Sequence, residues 1–325
     1  MRFAVLGAGA IGGFLAGRLI EAGQDVALIA RGPHLAALRE HGLRLQSDEL
    51  GEAHYPSVEA TDDPAAIGPV DYVILGLKAN ALVTAASSAR PLLGEKTAVV
   101  STQNGLPWWY FHGTEEAGAP LESVDPGGVI AEALAPERAI GAIMYCSCSL
   151  PEPGIVRHTS GIRVPLGEPD GSRSDRVLKL SDAFGAGGLK APVRNQIQHD
   201  LWVKLFGNGV FNPLSALTGK TMLEMVELPE THRLIAAMME EIREVAAAAG
   251  VQIAFSPEQR IEGARRAGYH KTSMLQDREA GRPPELDAIL GSILELAERF
   301  HVAAPRSEAI YAAAKLLFEK PATAP

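Results

Sequence analysis

A chain of 325 residues, 46 % of them apolar, is long enough for two domains with separate cores. A formal charge of −9 and a pI near 5.5 exclude a surface built to coat polyanions, so nucleic acid is not an expected partner, while a local basic pocket for a phosphate stays compatible. No apolar run approaches the ~20 residues of a membrane span, and the chain opens on a strand rather than a basic-then-apolar leader, so a cytoplasmic protein with no membrane partner is expected.

The first element is a buried strand, RFAVL, followed by Gly7-Ala8-Gly9-Ala10-Ile11-Gly12 and a helix with apolar positions at Leu15, Leu19 and Ile20. G-x-G-x-x-G between a strand and a helix is the pattern of a dinucleotide phosphate loop. The three glycines have distinct physical roles. Gly7 turns the chain, Gly9 lets backbone approach a pyrophosphate, and Gly12 lets helix and strand pack closely. The helix N-terminus then faces the phosphates. A second strand over 25–30 ends in Arg31, where an acidic residue would hydrogen-bond an unphosphorylated ribose. A guanidinium pairs with a 2′-phosphate and a carboxylate repels it, so NADPH is expected rather than NADH. His34 is a second, weaker candidate for that pocket.

Strands over 72–77 and 97–102, separated by a helix that includes 79–89, continue a doubly wound parallel sheet. Lys78 and Asn104 follow these strands at the carboxyl edge, where open α/β sheets bind ligands. Lys78 fits a cofactor phosphate or a substrate carboxylate; Asn104 fits the nicotinamide or the substrate, and the Gln103-Asn104-Gly105 tripeptide also reads as a plain turn. Residues 108–111, WWYF, concentrate aromatics just beyond. They suit a pocket wall, a lid, a subunit interface or local packing.

Composition turns to Pro, Gly and acid over 121–128, and strands are expected over 140–150, 155–158 and 164–166. Cys146 and Cys148 read as reduced, half-buried residues of a strand, and with no further cysteine or nearby histidine cluster no metal site is expected. The chain is helical from Ile197 onward. The boundary is set near 193, giving a nucleotide domain over 1–193 and a helical substrate or dimerisation domain over 194–325.

In LWVKLFGNGVFNPLSAL, residues 201–217, Lys204, Asn208 and Asn212 recur every four residues and share one helix face, with Leu201, Leu205 and Val210 on others. An ammonium beside two carboxamides suits carbonyl reduction, because it can give a proton to an oxygen gaining negative charge; a solvated polar face is the plain alternative. Pro213 is expected to stop or kink this helix at Asn212. Further on, Ser273 fits a helix cap with Asp277 on the helix surface, and Pro284 fits a helix start with Glu285 in its first turn.

These motifs together, GAGAIGG, Arg31, Lys78, QNG with Asn104, LWVKLFGNGVFNPLSAL, and TSMLQD followed by Glu285, resemble the ketopantoate reductase (2-dehydropantoate 2-reductase) family over nearly the whole chain. The resemblance implies an α/β fold: a Rossmann-type N-terminal domain joined to an all-α C-terminal domain like that of 6-phosphogluconate dehydrogenase, with the active site in the cleft. It implies NADPH-dependent reduction of ketopantoate to pantoate on the route to pantothenate and coenzyme A. Lys204 would protonate the developing alkoxide, Glu285 would meet the nascent hydroxyl, and Ser273, Asn104, Asn208 and Asn212 would hold the substrate. A homodimer is compatible with the resemblance. Two departures from the better-known members, a longer segment between Gln103-Asn104-Gly105 and the strand near Ile140 that opens with Pro107 and the aromatics at 108–111, and His270 in place of an asparagine, leave another 2-oxo acid, a bulkier one included, as the alternative substrate.

Overall fold

Strands that are apolar on both faces require cover on both sides, which is the condition of a parallel sheet walled by helices. The computed structural model describes residues 1–114, 116 and 118–319. Its contacts divide the chain into one unit of Met1–Pro120 with Gly127–Ile197, and a second of Leu121–Pro126 with the chain from Gln198 onward.

The first unit runs β1 (Arg2–Leu6), α1 (Ala10–Glu21), β2 (Asp25–Ile29), α2 (Gly32–His41), β3 (Leu43–Ser47), β4 (Gly51–Tyr55), β5 (Glu59–Thr61), β6 (Val70–Leu75), α3 (Ala79–Ala85), β7 (Leu93–Ser101), α4 (Val129–Leu134), β8 (Ala139–Ala142), β9 (Ser147–Glu152), β10 (Ile155–Ser160), β11 (Leu166–Gly167) and α5 (Asp175–Ala186). Seven strands form one sheet in the order β11-β8-β7-β6-β1-β2-β5. All neighbours in it are parallel except β11 with β8.

A second sheet, ordered β4-β3-β10-β9, was not foreseen from the sequence. It lies on the far side of α1, whose residues Gly12 to Leu19 are all buried. Glycines make this double contact possible. A Cβ on Gly13 would approach Val156 Cγ2 to 2.8 Å and one on Gly17 would collide with Leu45, while Phe14 stacks on His158 with ring centroids 4.4 Å apart. The single strand expected over 140–150 is therefore two strands, β8 and β9, in different sheets. Residues between them still pair outward, with Ile143 and Tyr145 donating to the Pro165 and Arg163 carbonyls.

The second unit is all helical: α6 (Ile197–Thr218), α7 (Met222–Glu227), α8 (Pro229–Ala248), α9 (Pro257–Ala267), α10 (Ser273–Glu279), a π-turn at Asp287–Gly291 leading into α11 (Ser292–Arg299), and α12 (Pro305–Phe318). Contrary to expectation, α6 does not end at Asn212 but carries Pro213 inside it. A helix-interior proline costs about 3 kcal/mol. The next turn, with Leu214, Ser215 and Ala216 at 4 % exposure or less, is held by burial that offsets such a loss. Two carboxylates, Glu241 buried and Glu295 half-buried, lock the outer segments. Glu241 on α8 accepts from the Arg306 and Ser307 backbone amides at the start of α12, at 3.0 and 2.9 Å. Glu295 on α11 accepts from the Glu122 and Ser123 amides, both at 2.9 Å, which fastens 121–126 to the helical unit.

Gly141 on β8 shows the packing limit of the first unit. A Cβ there would lie 2.8 Å from the Trp109 ring and 2.9 Å from Ile197 Cγ1. Overpacking of this kind typically costs about 1–3 kcal/mol. Gly141→Ala should lower the unfolding free energy by that order and so bring the urea midpoint down at unchanged m, and a midpoint equal to the parent's would show that the Trp109 ring yields freely.

Candidate active site

Because β2, β1, β6 and β7 are neighbours in that order and run parallel, their carboxyl ends form one edge. Along it stand, in order, Arg31, the 7–12 loop, Lys78 and Asn104. Four of the expected cofactor or substrate groups thus share a single sheet edge, as the connectivity demands.

The loop is shaped by contacts that side chains would forbid. Gly7 has φ of +95°, and a Cβ there would strike Leu77 Cδ2 at 2.6 Å. Cβ atoms on Gly12 and on Gly76, which follows β6, would each collide with the Gly7 carbonyl oxygen. Gly9, the N-cap of α1, has nothing within 4 Å of where its Cβ would stand. Space is therefore open above Gly9, and the first turn of α1 carries no acidic residue. The first amides of α1, at half-buried Gly9, Ala10 and Ile11, and the positive end of the helix dipole suit an anion. A dinucleotide pyrophosphate fits that cradle. Gly76 was missed in the sequence; a glycine closing a strand beside a nucleotide loop is the signal that marks it.

Arg31 caps α2 in extended conformation and is exposed, and among the described residues no hydrogen bond or ion pair ties its guanidinium. His34 differs from its sequence reading. Its Nε2 lies 2.7 Å from the Ala8 carbonyl oxygen and its Nδ1 accepts from the Gly154 amide at 3.0 Å, so the ring is engaged by the protein itself rather than offered to a phosphate. Lys78 is half-buried at the N-cap of α3. Asn104 is half-buried too, and its tripeptide is more than a turn. Gln103 Nε2 donates to the Leu75 and Leu77 carbonyls at 2.7 and 2.9 Å, and Thr102 Oγ1 to Leu75 at 2.6 Å, which stitches the 102–104 segment to the end of β6. Gln103 is a second residue whose role the sequence reading missed.

In the helical unit, Lys204, Asn208 and Asn212 lie on one face of α6, Lys204 and Asn208 half-buried and Asn212 buried. The Asn212 side-chain amide has no hydrogen-bond partner among the described residues. A buried unmet N–H donor costs about 1–3 kcal/mol, which an acceptor arriving from a ligand would restore. The helix is held close to its neighbours by glycines: a Cβ on Gly209 would meet Ile242 and Ile293 at 2.8 and 2.9 Å, and one on Gly207 would collide with the Arg260 guanidinium. Ser215 Oγ donates to the Asn212 carbonyl at 2.9 Å and lies 2.5 Å from Thr272 Oγ1, tying α6 to the start of α10.

Thr272, not Ser273, is the cap of α10, its hydroxyl accepting from the Leu275 amide at 3.2 Å. Ser273 is thereby left exposed as the first helical residue, with its hydroxyl released from capping. Asp277 is buried and paired with Arg282 at 3.2 Å, rather than on the surface. Glu285 is buried and stands just before the helical residues, not in their first turn; its carbonyl accepts from Ile289 at 3.0 Å.

The aromatics Trp108, Trp109, Tyr110 and Phe111 are all buried, with the Trp109 ring against Gly141 and Tyr110 edge-on to Phe111 at 4.9 Å. The Trp108 and Trp109 indole N–H groups are buried with no hydrogen-bond partner among the described residues. Cys146 and Cys148 are free and pack at the margin of the first unit's core; burial pushes the Cys148 thiol up, which suppresses its thiolate. Among the described residues no group of three or more His, Cys, Asp or Glu is gathered as metal ligands, and no helix is long and apolar enough to cross a membrane.

Comparison with known proteins adds a lineage to this geometry. Residues 3–171 match the family model described as Ketopantoate reductase PanE/ApbA, and residues 196–318 match the model of its C-terminal part. A 2-dehydropantoate 2-reductase of Mesorhizobium japonicum is 44 % identical over 323 residues, covering 98 % of each chain. The crystal structure of 2-dehydropantoate 2-reductase from Geobacter metallireducens superposes with a TM-score of 0.86 at 28 % identity, over 97 % of this chain and 99 % of the other. That from Methylococcus capsulatus gives 0.84 at 28 %, over 98 % and 96 %. With motif, fold and near end-to-end similarity in agreement, the chain belongs to the ketopantoate reductase PanE/ApbA family.

Proposed function

We propose that this protein is an oxidoreductase that reduces 2-dehydropantoate (ketopantoate) to pantoate with NADPH, a step of pantothenate and coenzyme A biosynthesis in the cytoplasm. The observation that carries the reading is the α6 face, where Lys204 stands beside Asn208 and the unmet amide of Asn212. It is supported by the 44 % identical relative. When bound, NADPH supplies the hydride.

The chain's own groups do the rest. Amides at the start of α1 hold the pyrophosphate, and Arg31 pairs with the 2′-phosphate, which an acidic residue in its place would repel. Lys78 adds a positive charge on the cofactor side of the sheet edge, and the Asn104 carboxamide orients nicotinamide or substrate. Asn208, Asn212 and Ser273 bind the 2-oxo acid through its oxygens. Lys204 stabilises the negative charge growing on the carbonyl oxygen and delivers the proton from Nζ, which a guanidinium does poorly because it does not give up its proton. Glu285 accepts from the hydroxyl as it forms. A homodimer is the assembly we expect. A bulkier 2-oxo acid is the alternative substrate, and a substrate panel decides between the two.

Purified protein should oxidise NADPH with ketopantoate faster than with NADH or with a panel of bulkier 2-oxo acids; a preference for a bulkier acid would transfer the function to it. Lys204→Ala should lower kcat about 10²–10⁴-fold, the usual contribution of general acid catalysis, with the dinucleotide Kd unchanged. A variant that turned over normally would refute the role of Lys204. Arg31→Ala should weaken NADPH about tenfold or more while leaving NADH nearly untouched, since it removes charge-assisted hydrogen bonds to one phosphate. Equal loss for both dinucleotides would show that Arg31 does not read the phosphate.

A further inference from the structure

We propose that His34 is a positioning residue for the dinucleotide loop, clamping the Ala8 carbonyl and so aiming the Gly9 amide toward the cofactor phosphates. The inference rests on the reading of residues 7–12 as the NADPH loop.

His34 sits in the first turn of α2 with a half-buried ring. Its two nitrogens have different neighbours: the Ala8 carbonyl oxygen 2.7 Å from Nε2, and the Gly154 amide 3.0 Å from Nδ1. A carbonyl only accepts and a backbone N–H only donates. The neutral ring with its proton on Nε2 is therefore the form that satisfies both partners, and the tautomer is set from outside the ring.

Planarity of the peptide bond transmits this contact to the ligand side. In a trans peptide the Ala8 C=O and the Gly9 N–H point in opposite directions. With the carbonyl held toward His34, the amide is turned the other way, at the open N-cap of α1 where no atom lies within 4 Å of a Gly9 Cβ. The Ala8 amide is itself bound to the Ile29 carbonyl at 3.1 Å, so both sides of Ala8 are fastened. Glycines flank it, Gly7 at φ of +95° and Gly9, and glycine backbone loses more freedom on ordering than any other. A loop of this composition needs an external tie if it is to be ordered before the cofactor arrives, and a preordered site binds more tightly.

His34 also joins the loop to the second sheet. Gly154 lies in the turn between β9 and β10, has φ of +80°, and its carbonyl accepts from the Arg44 amide of β3 at 2.9 Å. The second sheet thus has a role beyond covering α1: it supplies the N–H that orients the ring.

The test compares the parent with His34→Met, of similar length but unable to make either bond, and His34→Gln, whose carboxamide can donate to Ala8 and accept from Gly154. Kd for NADPH and for NADH is read from tryptophan fluorescence, KM for dinucleotide and for ketopantoate from steady-state kinetics, and folding from melting temperature. H34M should raise Kd and KM for the dinucleotide about tenfold, the scale of one lost hydrogen bond to a buried acceptor, with KM for ketopantoate changed by less than about twofold. H34Q should recover to within about threefold of the parent. Should H34M not fold, His34→Asn, too short to span both partners, takes its place under the same criteria. Dinucleotide affinity in H34M equal to the parent's overturns the inference, as does H34Q binding as weakly as H34M. A parent that binds neither dinucleotide overturns the cofactor reading and this inference with it, whereas a binding parent with an unaffected H34M overturns this inference alone.

Discussion

The structure of the first unit depends on one close approach, where the Gly7 carbonyl oxygen meets both Gly12 and Gly76 with no room for a side chain on either. Three segments converge there: the end of β1, the first turn of α1 and the end of β6. Only bare backbone allows the helix to start this near the sheet, and with that nearness its N-terminal amides stand at the carboxyl edge, where they suit an anion. The positions of Lys78 and Asn104 follow, since both lie on chain that leaves adjacent strands of the same sheet.

Helix α1 shows how one element serves two packing layers. Its glycines at 12, 13 and 17 face the first sheet and the second, so that the helix is enclosed instead of lying with one face in water. Its continuous apolar character then has a simple cause, for a helix buried all round has no solvent face to keep polar.

The helical unit solves a different problem, that of keeping polar groups on a helix whose surroundings are largely apolar. Gly207 and Gly209 bring α6 close to Arg260 and to Ile242 and Ile293, while Lys204 and Asn208 remain half-buried on another line of the same helix. Continuation past Pro213 keeps Ser215 in register to hold Thr272, and that contact places the start of α10 and with it Ser273. The polar residues of the proposed site are therefore carried by a scaffold fixed through small residues and buried hydroxyls.

Local information was enough to read the glycine-rich loop between strand and helix, the parallel strands, the Lys204-Asn208-Asn212 face and the all-helical second half, because each is written in residues within a few positions of one another: glycine spacing, apolar runs and a four-residue period. It was not enough for the rest. Whether 140–150 makes one strand or two depends on separate partners in space, β7 and β11 for β8 and β10 for β9. The second sheet, the survival of α6 through Pro213, the burial of Asp277 and the burial of residues 108–111 are likewise decided by what packs against them. His34 is the clearest instance: its residue type marked it as a group with work to do, but which work was settled by Ala8 and Gly154, brought to opposite sides of one ring by the tertiary fold. By itself the sequence determined the lineage, the loop and the polar face, since these are patterns of short range. The tertiary structure decided which polar groups are consumed internally and which stay available, because hydrogen-bond partners and burial are properties of neighbours in space.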